Sequence, residues 1–199
     1  MSKRQIVFAS NNVGKIAEAT EYLAPLGWQV LPQSNWQIPS APEPHETFLE
    51  NALSKARFVA QRVQGPVLSD DSGLCIPVLG GAPGVNSRFY AGSTASDEQN
   101  MRKLLHQLEG VQTREAYFYC VLVYLESARD PTPKIWEGRW WGSIATEPDG
   151  SGGFGYDPVF WVEELACMAS HLTRAQKNQW SHRGQALRSM VRFWEEGHA

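Results

Sequence analysis

The chain has 199 residues, of which 42% are hydrophobic and 20% charged, with a formal net charge of -3. That length suits one domain with a substantial core. The slightly acidic balance excludes a broad basic field for a nucleic-acid backbone, leaving room only for a local cluster of Lys and Arg against one polyphosphate. Ile6 to Ala9 is too short an apolar run for a signal peptide or membrane span, and no later stretch reaches the ~18 apolar residues a span needs. Cys75, Cys120 and Cys167 are far apart, odd in number and without Cys-x-x-Cys spacing. They read as buried free thiols of a reducing compartment, with the cytoplasm as the expected location.

In chain order the pattern is α/β. Gln5 to Ser10 reads as a strand, followed by a helix from Gly14 to about Leu23 with Ile16, Thr20 and Leu23 on one face. Trp28 to Pro32 reads as a second strand. Phe48, Leu49, Ala52, Ala56, Val59, Ala60 and Val63 recur at helical spacing, predicting a helix over Glu46 to Val63. Pro66 to Ser69 is the next strand, ending before a Ser72-Gly73 loop. Ser96 and Gln99 form a capping box for a helix whose buried stripe is Met101, Leu104, Leu105 and Leu108, closed by Gly110. Ala116 to Leu125 is apolar on both faces, and Ile135 to Ile144 returns beyond Pro131 and Pro133 as its hairpin partner. Thr173 and Gln176 form another capping box, and Ser181 is positioned to cap a last helix carrying Leu187, Met190, Val191 and Trp194. The expected architecture is a mixed β-sheet flanked by helices.

Five segments carry chemistry-bearing residues. Ser10-Asn11-Asn12-Val13-Gly14-Lys15 joins a strand to a helix N-terminus with a Gly and a Lys, the parts of a phosphate cradle, though an Asn-capped turn explains it equally well. Glu43 lies before a helix in a Pro-rich loop and is a better metal candidate than Glu46 or Glu50, which complement the helix dipole. Asp70-Asp71 at a strand end can hold a divalent cation or move a proton, while acids beside a Gly more often build a turn. Gly150 to Pro158 either frees the backbone to fold closely around a ligand, leaving Phe154 and Tyr156 as aromatic surfaces, or forms a flexible hairpin tip with one packed aromatic. Lys177, His182 and Arg183 cluster at a helix junction, either as solvated charge or as donors toward a ligand. Trp140-Trp141 is open between an interface and the core.

In this order the segments closely resemble the Ham1/inosine triphosphatase family of non-canonical purine nucleoside triphosphate pyrophosphatases. The resemblance rests on Ser10–Lys15, Thr47-Phe48-Leu49-Glu50-Asn51-Ala52, Ser69-Asp70-Asp71-Ser72-Gly73-Leu74, Gly80-Gly81-Ala82-Pro83-Gly84-Val85, Phe154-Gly155-Tyr156-Asp157-Pro158 and Ser181-His182-Arg183-Gly184. It implies one elongated domain spanning the chain, with two lobes around a central cleft. It implies a homodimer that needs Mg²⁺ and takes a purine nucleoside triphosphate, with no nucleic acid and no membrane as partner.

By this resemblance Ser10, Asn12 and Lys15 hold the triphosphate. Glu43 and Asp71 bind Mg²⁺, Asp71 is also the general base, and Asp70 supports it. Ser72 contacts substrate. Phe154, Gly155, Tyr156, Asp157, His182 and Arg183 form the base pocket, and Lys177 reaches the substrate from the preceding helix. Two stretches depart from the family's usual reading. Arg88 is displaced by one residue and takes no role, and Pro44-His45-Glu46 replaces Thr-Gly-x after Glu43, leaving Glu43 and Glu46 both open as the second ligand. The implied reaction is hydrolysis of ITP, dITP or XTP to the monophosphate and pyrophosphate, with donors from His182 and Arg183 favouring a 6-oxo over a 6-amino purine. The alternative is a silent purine-nucleotide-binding module with the same pocket.

Overall fold

A computed structural model describes residues 4–197. Residues 1–3 and 198–199 lie outside them. The strands are β1 (Arg4–Phe8), β2 (Trp28–Pro32), β3 (Val67–Cys75), β4 (Glu115–Leu125), β5 (Lys134–Ile144), β6 (Phe160–Val162) and β7 (Cys167–Met168). The helices are α1 (Val13–Leu23), α2 (Phe48–Ala60), α3 (Asp97–Gln107), α4 (Arg174–Trp180) and α5 (His182–Glu195). The strands form one sheet in the order β2-β1-β3-β4-β5-β6-β7. It is mixed: β1 pairs parallel with β2 and β3, whereas β6 pairs antiparallel with β5 and β7.

The chain divides into two compact units. One gathers the chain up to Asp71 with Cys120–Gly138 and the segment from Arg183 onward; the other is Ser72–Tyr119 with Arg139–His182. The core of the first packs Ile6 and Phe8 of β1, Ala19 and Leu23 of α1 and Leu68 of β3 against Leu122, Ala186, Leu187 and Met190. The core of the second packs Leu74, Leu104, Leu108, Phe118, Trp140, Tyr156 and Phe160. Trp140 is therefore core, stacked on Phe118, while Trp141 is exposed.

Both predicted capping boxes form, at Ser96 with Gln99 and at Thr173 with Gln176. Three sequence expectations change. The third strand does not stop at Ser69 but runs to Cys75, so the acid pair lies inside it. Its burial on both sides outweighs the turn signal of Ser72-Gly73. Helix α2 is shorter at both ends, and its buried face contains Asn51 and Lys55 in place of the exposed Leu49, because both polar side chains find partners there. Cys75 and Cys120 are buried free thiols, but Cys167, on the two-residue strand β7, is only half-buried.

Candidate active site

In the first unit, local hydrogen bonds shape the turn between β1 and α1. The Ser10 hydroxyl accepts the Asn12 amide at 3.1 Å, and the Asn12 side chain caps α1 by accepting the Lys15 amide at 3.1 Å. Capping and cradle are thus one geometry: the cap leaves the Lys15 ammonium 2.8 Å from Asp70 Oδ2. Asp70 and Asp71 are consecutive on β3 and so face opposite sides of the sheet. Asp70 Oδ2 also accepts Nε and Nη2 of Arg183, from the first turn of α5, at 3.2 and 3.1 Å. Arg183 spends Nη1 on Glu18 of α1 at 2.9 Å. Asp71 Oδ1 accepts Lys55 Nζ at 3.0 Å, and the same ammonium lies 2.5 Å from Glu43 Oε1.

The electrostatics separate the two acids. Burial pushes the Asp70 carboxyl up, but Lys15, Arg183 and Lys55 outweigh it and hold it well below the usual carboxylate range. Burial also pushes Asp71 up, and there Lys55 does not cancel it, while Glu43 and Asp70 add to the rise. Asp70 is a fixed anion and Asp71 the more basic carboxylate. Burial lowers the Lys55 ammonium, but Asp71, Asp70 and Glu43 raise it further and keep it charged.

Sequence reasoning missed Lys55 and Glu18, and gave Asn51 no role although it lies in the Thr47–Ala52 motif. Asn51 accepts the His45 amide at 3.0 Å and donates to the His45 carbonyl at 3.1 Å, pinning the loop that carries Glu43. Glu50 is spent on the Thr47 hydroxyl at the start of α2, at 2.6 Å. Of the acids in this loop, it is Glu43 that converges with Asp71. Lys55 sits a helical turn after Asn51 and Glu18 a helical turn after Lys15, which is the only sequence signal those two carry.

In the second unit, the Gly-rich loop is built around Asp157. Its carboxylate accepts the Phe154 amide at 2.8 Å and the Lys177 ammonium from α4. The Lys177 ammonium also lies 4.1 Å from the centroid of the Phe154 ring, which is exposed. Gly153 has φ +77°, and a Cβ there would collide with the Asp157 carboxylate, so only Gly serves. Gly155 donates its amide to Asp97 at 2.8 Å. Tyr156 is not an open aromatic surface: it is buried in the core and donates its hydroxyl to the Ser87 carbonyl at 2.8 Å. His182 is buried with its ring stacked on Phe118, centroids 5.1 Å apart. Ser72 is half-buried on β3.

The structure therefore assembles Ser10, Asn12, Lys15, Glu43, Asp70, Asp71 and Arg183 in one unit, and Phe154, Gly155, Tyr156, Asp157, Lys177 and His182 in the other. Arg183 departs from expectation. Its guanidinium faces the buried Asp70 and the half-buried Glu18, because two carboxylates compete for the fork more strongly than a neutral base. No group of three or more His, Cys, Asp or Glu gathers for a metal among the described residues. Two carboxylates suit Mg²⁺, which completes its shell with phosphate oxygens and water. Asp71 Oδ2 is buried and has no hydrogen-bond partner, so Glu43 and Asp71 fit such an ion.

The Ham1 family's sequence model matches residues 6–193. A dITP/XTP pyrophosphatase of Idiomarina loihiensis is 50% identical over 197 residues, covering 96% of this chain and 98% of that protein. One from Nitrosomonas europaea is 50% identical over 192 residues, covering 96% and 95%. The structure of a HAM1 protein from Coxiella burnetii is 43% identical and superposes with a TM-score of 0.93, covering 98% of this chain and 100% of that one. With a match reaching from β1 into α5, the chain belongs to the Ham1 family.

Proposed function

We propose that the chain is a nucleoside triphosphate pyrophosphatase that hydrolyses the non-canonical purine nucleotides ITP, dITP and XTP. It works as a Mg²⁺-dependent homodimer in the cytoplasm, clearing the nucleotide pool. Full-length similarity to proteins named dITP/XTP pyrophosphatases supports the substrate class. Three free cysteines support a reducing compartment, and no helix among the described residues is long and apolar enough to cross a membrane. The exposed Trp141 supports an aromatic contact between copies.

The observation that carries the chemistry is the asymmetry of the acid pair. Asp71 takes a proton from water as the water oxygen bonds to the α-phosphorus. The bond from that phosphorus to the α–β bridging oxygen breaks, giving the monophosphate and pyrophosphate. Asp70, held ionised, keeps Lys15 aimed at the phosphates, where its charge meets the negative charge growing on the leaving group. Mg²⁺ bound by Glu43 and Asp71 would neutralise phosphate charge and orient the attacking water. Phe154 supplies a stacking face for the base, and the buried His182 supplies a hydrogen-bonding edge. Pyrophosphate release from ITP, XTP, dITP, ATP and GTP, with and without Mg²⁺, tests the reading. Fast Mg²⁺-dependent release from the first three is expected, and equal release from ATP and ITP refutes it.

A further inference from the structure

Asp97 belongs to none of the motifs above, yet it touches the aromatic loop. It is the first residue of α3, directly after the Ser96 cap, where an acid ordinarily just complements the helix dipole. Here its Oδ2 accepts the Gly155 amide at 2.8 Å, from a residue 58 positions away. Gly155 has φ +62° and stands between Phe154 and Tyr156, so its amide direction sets where both rings go. The other holds on the loop lie on either side of it. Phe154 is tied to Asp157, and Tyr156 is tied to the Ser87 carbonyl. Ser87 is itself fixed, since its hydroxyl accepts the Leu74 amide of β3 at 2.8 Å and donates to Gly84 at 2.6 Å. Asp97 ties the Phe154–Gly155 peptide from outside the loop, while within the turn the carbonyl of the same peptide accepts the Asp157 amide at 3.3 Å.

We propose that Asp97 is a positioning residue for the purine base, latching Gly155 so that the exposed Phe154 ring is held at stacking height. The inference deepens the function proposed above and rests on Phe154 meeting the base. A latch of this kind acts on base binding and leaves phosphate chemistry alone. An Asn retains the accepting oxygen but not the charge, whereas an Ala retains neither. The dipole role and the latch role therefore separate.

Two measurements test it. Hydrogen exchange of the Gly155 and Tyr156 amides needs no substrate. Asp97→Ala should speed exchange there at least tenfold, and Asp97→Asn should stay within threefold of the parent. Steady-state hydrolysis of ITP should show KM raised about five- to tenfold in Asp97→Ala, the loss of one hydrogen bond, with kcat within twofold and Asp97→Asn near the parent. Unchanged exchange in Asp97→Ala, or equal KM effects in the Ala and Asn variants, overturns the latch. If the parent chain hydrolyses no purine nucleoside triphosphate, the functional reading falls instead, and the exchange result alone decides the latch.

Discussion

Replacing Arg183 by Met removes the fork while keeping a long apolar stem in place. Arg183 is 4% exposed and delivers three hydrogen bonds to two carboxylates, two to Asp70 and one to Glu18. Asp70 is 1% exposed and its Oδ1 already has no partner. Without Arg183 its charge rests on Lys15 and the more distant Lys55. Breaking a buried ion pair from one side costs roughly 3–5 kcal/mol. The surviving contact to Lys15 at 2.8 Å argues for the lower end, about 3 kcal/mol. For a chain of this length that corresponds to a fall in Tm of about 6–12 °C. Thermal and urea unfolding followed by circular dichroism measure it, with Arg183→Lys as a control that keeps the charge but not the planar fork. A loss below ~1 kcal/mol, the worth of an exposed pair, would refute the view that Arg183 holds Asp70.

Three further outcomes are expected. Asp71→Asn should lower kcat for ITP by about 10²- to 10⁴-fold, and turnover within tenfold would remove Asp71 as the base. Asp70 is held below its ordinary 3.8, so folded protein binds fewer protons at this site than unfolded chain. Its stabilising contribution should be complete above that value and shrink as pH falls below it; in Asp70→Asn this acid-limb slope should diminish, read by urea unfolding across pH 2–6. Burial pushes the Cys120 thiol up to about 12 and raises Cys75 as well. A thiol reagent on native protein should therefore modify Cys167 first, with Cys75 and Cys120 reacting only on unfolding; early loss of Cys120 by mass spectrometry would contradict the packing.

The alternation of strands and helices was legible because each element carries its own period and cap, as at Ser96–Gln99 and Thr173–Gln176. The candidate site was legible wherever its residues lie in contiguous segments. What escaped were residues whose role exists only through packing. Lys55 reads as an ordinary helix lysine until α2 lies on β3, where the buried Ser69 hydroxyl donates to the Ala52 carbonyl at 2.6 Å. Tyr156 reads as a free aromatic until Ser87 claims its hydroxyl. Arg183 reads as a surface donor until Asp70 and Glu18 close on it. The extent of β3 escaped for a different reason: Ser72-Gly73 is good turn chemistry, and only burial on both faces of the strand overrides it.

The placement of the two acids on one strand has a consequence for the backbone. Parallel pairing of β1 with β3 sets Val7 beside Val67 and Phe8 beside Leu68, just before the pair. A slip of one residue in that register would turn every side chain of β3 to the other face. A slip that set Asp71 in Asp70's place, beside Lys15 and Arg183, would leave Ser72 facing Lys55 and Glu43 and put Asp70 in the buried place of Ser69. A single residue deleted between Leu68 and Asp70 thus leaves the place facing Lys55 and Glu43 without a carboxylate, so under the function proposed above strand alignment itself governs whether a proton acceptor is present.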